Sequence, residues 1–79
     1  MYERIRNLRE DKDLTQKQMA EKLSVAQTTY SDYELGKLNI PTSILRQLAF
    51  ILETSVDYLL EVTDERRPYP RAKQMKIQE

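Results

Sequence analysis

The chain has 79 residues, 13 lysines and arginines against 13 aspartates and glutamates, and neither cysteine nor histidine. That length supports one small hydrophobic core, and the missing residues exclude disulfides, Cys-ligated zinc and histidine-based acid–base chemistry. A neutral balance also lacks the strongly basic footprint of most nucleic-acid binders, so any such role must rest on where the charges sit.

The first segment, Tyr2 to about Asp11, spaces Tyr2, Ile5 and Leu8 as one face of an amphipathic helix, with Arg4, Arg6 and Arg9 between them. Asp11-Lys12-Asp13 is a polar break. Thr15 and Gln18 then fit a capping box, and Leu14 with Met19 fits a hydrophobic staple. This predicts a helix from about Gln16 to Leu23, with Met19, Ala20 and Leu23 facing inward. Ser24-Val25-Ala26 forms a short turn. A third helix is expected from Gln27 to Leu35, with Tyr30 and Tyr33 on one face. Gly36, the only glycine, stands just past its end, where a left-handed backbone is easiest for glycine.

After a loop, Pro41-Thr42 opens a fourth helix offering Ile44, Leu45, Leu48, Ala49, Phe50 and Leu52 for burial. Thr54 and Ser55 are candidate caps for a short fifth helix carrying Val56, Leu59 and Leu60. From Thr63 the pattern fails, and Asp64 to Pro70 reads as extended. Tyr69, between two prolines, is expected to pack on the domain. Residues 71–79 read as a helical fragment or as disordered. Residues 1–63 hold 8 basic and 10 acidic residues, while 64–79 hold 5 and 3. The body is mildly acidic and the tail mildly basic.

No periodicity suggests a sheet, so the expected class is all-α with five short helices. No apolar run approaches the roughly 18 residues of a membrane span, and Met1-Tyr2-Glu3-Arg4 does not begin a signal peptide. A soluble, cytoplasmic chain without a membrane partner is expected. Nothing in it suggests a cofactor, a metal site or a small-molecule ligand. Scattered carboxylates without a phosphate-cradling glycine loop give no catalytic site, so an enzyme is not expected.

Two short helices joined by a three-residue turn form a helix-turn-helix. Ala20 supplies the small residue at their crossing and Val25 an apolar plug after the turn. At Leu14-Thr15-Gln16-Lys17-Gln18-Met19-Ala20-Glu21-Lys22-Leu23 and Ser24-Val25-Ala26-Gln27-Thr28-Thr29-Tyr30-Ser31-Asp32-Tyr33-Glu34-Leu35-Gly36-Lys37, the chain resembles the lambda-repressor-like (XRE or Cro-type) helix-turn-helix family. Pro41-Thr42, Leu45, Leu48-Ala49 and Ser55 to Leu60 continue the likeness, which covers roughly residues 2–62. It implies a DNA-binding domain over 1–62, followed by a polar C-terminal tail, 63–79, extended or partly disordered.

The resemblance also implies roles. Gln16 and Lys17, at the start of the second helix, and Lys37 would meet DNA phosphates. Gln27, Thr28 and Thr29 would contact base edges in the major groove. Arg9 and Glu34 match a structural pair whose arginine also lies near phosphate. Two departures stand out. Glycine is common in the family where Ser24 stands, and Asp32 occupies a groove-facing position usually polar or basic. An acid there would accept from cytosine N4 but repel phosphate.

Against these roles, Gln27 to Thr29 also fit a plain solvated helix face, Gln16 a good helix former, and Arg66 and Arg67 solubilising charge. The implied function is a sequence-specific transcriptional regulator of double-stranded DNA, a repressor acting as a homodimer on a pseudo-palindrome. Val56 and Tyr58 are the candidate dimer residues. The alternative is a protein-interaction module or antitoxin-like partner that keeps the fold with little DNA affinity, which the neutral charge and Asp32 favour.

Overall fold

Two of the helices begin at a side-chain cap. The computed structural model describes residues 2–68, so Tyr69 and the stretch 71–79 lie outside the described residues. Five helices follow in order: α1 (Glu3–Asp11), α2 (Gln16–Leu23), α3 (Gln27–Leu35), α4 (Thr42–Ile51) and α5 (Val56–Leu59). The Thr15 hydroxyl accepts from the Gln18 backbone N–H at 3.0 Å, and the Gln18 side chain accepts from Thr15 N–H at 2.8 Å, closing the capping box. Leu14 is half-buried and packs against the core that contains fully buried Met19, which is consistent with the staple. Ser55 caps α5 by accepting from Tyr58 N–H at 3.0 Å. Thr54 does not cap; its buried hydroxyl donates instead to the Arg66 carbonyl at 2.6 Å.

Ile5, Leu8, Met19, Ala20, Leu23, Tyr30, Tyr33, Ile40, Ile44, Leu48, Ala49, Leu52 and Leu59 make one core drawn from all five helices. Helices α2 and α3 pack against each other, and α4 closes the core against α2 and α5. Buried Ala20 has no side chain beyond Cβ, which lets α3 approach α2. Two residues offered for burial face solvent: Phe50 is 65% exposed and Leu60 42%. Phe50 lies two residues from buried Leu48, about 200° round the helix, so the two cannot share a face. Leu60 falls just past the last turn of α5. Leu45 and Val56 are half-buried.

All five helices stop in the same way. The residues Asp13, Ser24, Gly36, Glu53 and Glu61 each have φ between 57° and 77°. After each, the next backbone N–H returns five residues: Leu14 to Arg9, Val25 to Ala20, Lys37 to Asp32, Thr54 to Ala49 and Val62 to Asp57. Each left-handed residue also donates three residues back, for example Ser24 to Glu21 at 3.1 Å. This is the Schellman motif, which satisfies carbonyls that a helix end leaves open. Only Gly36 was legible as such a stop.

Ser24 therefore adopts the conformation for which glycine is favoured, at φ 59° and ψ 41°. The turn keeps its geometry despite the serine. A left-handed L-residue costs about 1–2 kcal/mol, while glycine adds back about 0.4–1 kcal/mol of unfolded-chain entropy. Ser24→Gly is thus expected to stabilise the fold by about 0.5 kcal/mol, read as a raised urea midpoint at unchanged m-value. An unchanged or lowered midpoint would contradict the strain at this turn.

The chain beyond α5 turns back along α1. The Arg4 guanidinium donates to the carbonyls of Tyr58 at 2.9 Å and Thr63 at 2.7 Å and pairs with Asp64 at 2.9 Å. It also lies over the Tyr58 ring, 4.1 Å from the centroid. Arg66 pairs with Asp11 at 3.0 Å. That last pair is exposed on both sides and adds little stability, whereas Arg4 gathers three elements around one cation.

Candidate nucleic-acid interface

Beneath the helix-turn-helix lies a buried polar cluster. Glu34, from α3, is 4% exposed, and Arg9, from α1, is 8% exposed. Arg9 meets both carboxylate oxygens with one edge of its guanidinium: Nε to Oε2 at 2.7 Å and Nη2 to Oε1 at 3.3 Å. Its Nη1 donates to the Leu14 carbonyl at 2.7 Å, just ahead of α2. Gln16, the first residue of α2, donates Nε2 to Glu34 Oε1 at 3.0 Å. The Tyr30 hydroxyl donates to Glu34 Oε2. One carboxylate thus ties α1, α2 and α3 together.

Burial alone would push the Glu34 carboxyl up. The hydrogen bonds from Arg9, Tyr30 and Gln16 outweigh it, and the group is held below its ordinary value. The hydrogen bond to Glu34 raises the Arg9 guanidinium above its already high value. Burial first, then the neighbouring carboxylate, pushes the Tyr30 phenol far up, so its proton stays in place as a donor.

The outer face of α3 follows from this inner one. Tyr30, Tyr33 and Glu34 are its buried residues. Gln27 and Thr28 are exposed, and Thr29, Ser31 and Asp32 half-buried. Thr28, Ser31, Asp32 and Leu35 fall at i, i+3, i+4 and i+7, opposite the buried side. Ser31 and the 52% exposed Leu35 were absent from the sequence reading of this face. Counting the same spacing outward from Thr28 would have found both. No side chain caps α3 at Ala26, so the N–H groups of its first turn are not occupied by a capping side chain.

Arg4, Arg9, Lys12, Arg66 and Arg67 all have carboxylate partners. Among the described residues, Arg6, Lys17, Lys22, Lys37 and Arg46 are exposed and in no ion pair, and Lys17, Lys22 and Lys37 of these belong to the helix-turn-helix. Asp32 has none either. The neutral total therefore includes unpaired lysines at the helix-turn-helix, along with an unpaired acid on α3. Elsewhere, Val56 and Tyr58 are half-buried, and the exposed apolar Leu60 and Val62, the latter 70% exposed, follow them in the chain. Among the described residues, no helix is long and apolar enough to cross a membrane.

Comparison with known proteins agrees with this geometry. A family model described as helix-turn-helix matches residues 5–59. An uncharacterized HTH-type transcriptional regulator of Bacillus subtilis, YobD, is 39% identical over 77 residues, covering 96% of this chain and 69% of the relative. Another from the same organism, YqaE, is 39% identical over 59 residues, covering 75% of this chain and 51% of the relative. The prophage-derived YonR is 36% identical over 61 residues, covering 77% of this chain and 56% of the relative. The chain thus spans little more than half of two of these proteins. Among solved structures, the N-terminal DNA-binding domain of SinR from Bacillus subtilis superposes with a TM-score of 0.67 at 30% identity, covering 73% of this chain and 86% of that one. This family and fold are those of DNA-binding transcription regulators, which are not enzymes. From the two-helix unit, the order of its five helices and these likenesses together, the chain belongs to the lambda-repressor-like, XRE-type helix-turn-helix family.

Proposed function

We propose that this chain reads a specific DNA sequence as a homodimeric repressor, with α3 in the major groove of each half of a pseudo-palindrome. The observation that carries it is the outward face of α3, polar and accessible, standing on a buried carboxylate that locks three helices. Gln27 presents its amide to a base edge, suited to adenine N6 and N7. Thr28 and Thr29 flank it as donors, acceptors or methyl contacts, and Asp32 accepts from cytosine N4. Gln16, Lys17 and Lys37 hold phosphates on either side. The Arg9 side chain is only 10% exposed, and three of its N–H groups are occupied within the protein. It is assigned to pairing with Glu34, supporting the phosphate side through Gln16 rather than by direct contact.

A single small module buries too little for tight specific binding. Pairing through Val56, Tyr58 and the adjoining Leu60 and Val62 would set two recognition helices about one DNA turn apart, roughly 34 Å. A dimer seated on a promoter blocks other proteins by occupancy, which makes repression the simplest outcome. Cytoplasmic location belongs to the same reading.

Gln27→Ala is expected to cost about 1–3 kcal/mol at one base position and to relax preference there. Gln16→Ala is expected to weaken all duplexes alike and to lower the slope of log K against log salt by about one phosphate. Selection from random duplex DNA, followed by fluorescence anisotropy of each variant across a salt series, reads both. Selected sites with two symmetric half-sites support the dimer; single, asymmetric sites would refute it. If no duplex binds even at low salt, the chain is an interaction module that keeps the fold alone.

A further inference from the structure

Tyr30 is fully buried, yet its side chain ends in a hydroxyl. A buried hydroxyl needs a partner, and this one donates to Glu34 Oε2. The Glu34 carboxylate is saturated. Oε2 accepts from Arg9 Nε and Tyr30, and Oε1 accepts from Arg9 Nη2 and Gln16 Nε2. A carboxylate has about four acceptor sites, and all are filled.

The consequence falls on Gln16. A side-chain amide presents an oxygen at one end and two N–H bonds at the other. Facing a carboxylate, only the nitrogen end is tolerated, so the charge on Glu34 decides which way the Gln16 amide is turned. With one N–H directed to Oε1, the direction of the second is fixed by the planar amide. Gln16 is half-buried at the exposed start of α2, and among the described residues that second N–H has no hydrogen-bond partner. It is a donor, the type a phosphate oxygen requires. Arg9 grips both carboxylate oxygens from one side; Tyr30, reaching from within α3 itself, holds Oε2 from another. Without the hydroxyl, Oε2 keeps one donor and the carboxylate gains freedom to turn away from Gln16.

We infer that Tyr30 is a positioning residue for DNA-backbone binding, its hydroxyl acting through Glu34 to fix the orientation of the Gln16 amide. The inference rests on the reading of Gln16 as a phosphate anchor. It separates two roles of one core side chain: the ring fills the interior, and the hydroxyl sets a donor on the surface.

The test is a double-mutant cycle on the full chain. Tyr30→Phe, Gln16→Ala and the double variant are measured by fluorescence anisotropy on a selected duplex and on an unrelated one. Circular dichroism melts confirm that each variant is folded at the assay temperature. Tyr30→Phe is expected to weaken both duplexes about three- to tenfold, the worth of one hydrogen bond. The double variant is expected to bind no more weakly than Gln16→Ala alone, because the hydroxyl has nothing left to position. In 15N-resolved spectra of the free protein, Tyr30→Phe should also collapse the separation between the two Gln16 amide protons. A purely structural role would lower the melting temperature and leave the cycle additive and the amide pair unmoved; that result overturns the inference. If Gln16→Ala itself leaves every affinity unchanged, the anchor reading fails, and the positioning role with it. Should Tyr30→Phe melt too low, the same cycle built on Ser24→Gly regains stability, with Ser24→Gly alone as its reference.

Discussion

Replacing Arg9 with alanine is expected to destabilise the domain by about 3–5 kcal/mol at neutral pH, most of what a chain of this size possesses. The loss comes less from the vanished attraction than from what remains. The Glu34 side chain is only 2% exposed and would keep its charge with two neutral donors, Tyr30 and Gln16. The Leu14 carbonyl also loses its donor at the entry to α2. Acid provides the check. In the intact protein the Glu34 carboxyl is held below its ordinary value. Its contribution is therefore complete above the unfolded-state value, about 4.3, and is lost as pH falls through the lower folded-state value. In Arg9→Ala the strongest cause of that lowering is gone and burial pushes the group up. Protonation then relieves the variant while it harms the parent. Urea denaturation at neutral pH and at about pH 3.5, below the unfolded carboxylate value, should show the gap between them narrowing markedly in acid. An equal gap at both would mean that Glu34 is not the source of the loss.

Leu48→Ala is the second large effect, expected at about 2–5 kcal/mol. Leu48 has no exposed surface and sits on α4 where that helix closes the core against α2 and α5. Truncation leaves a cavity at the junction of three helices, with neighbours too constrained to fill it. Half-buried Leu45, one turn away, should cost clearly less when cut to alanine, since solvent already reaches its site. Leu48→Ala touches none of the residues assigned to DNA. Its apparent loss of binding should therefore be a loss of folded protein, and cognate duplex at about a hundred times its dissociation constant should restore about 2.7 kcal/mol of stability. Thermal melts with and without duplex measure this. Gln27→Ala should behave oppositely, melting normally alone and gaining little from the duplex. If Leu48→Ala melts like the parent, α4 does not close the core as described.

Features written in a few adjacent residues were legible before the structure. Thr15 with Gln18, Pro41 and Gly36 mark helix ends by chemistry confined to one turn, and the bounds of α2 and α3 agree to the residue with the sequence reading. The inward apolar residues of α2 and α3 followed from spacing alone. The Arg9–Glu34 pair spans 25 positions and was reached only through the family resemblance. Nothing local announced that Tyr30 and Gln16 would join it. Tyr30 reads as a core aromatic, and its hydroxyl acquires meaning only once α3 is seated on α1. The Arg4 contacts to Thr63 and Asp64 cross about sixty positions and carry no periodic signal. Phe50 and Leu60 misled because apolar character does not tell which side of a short helix meets the core. The four left-handed stops without glycine were hidden for another reason: aspartate, serine and glutamate are ordinary surface residues in any other conformation.

Those four stops bear on how such a domain changes over generations. At Asp13, Ser24, Glu53 and Glu61 the backbone is already in the shape glycine prefers. Each position offers a one-residue change that raises stability without altering the contour of the recognition surface. On the proposed reading of DNA by α3, a new sequence preference requires rewriting residues on that helix, and most random replacements there cost something in folding. A lineage holding several unused gains elsewhere tolerates such losses and repairs them later, in either order. The scarcity of glycine in this chain is thus a store of evolvability, placed at helix ends that lie outside the sequence of α3.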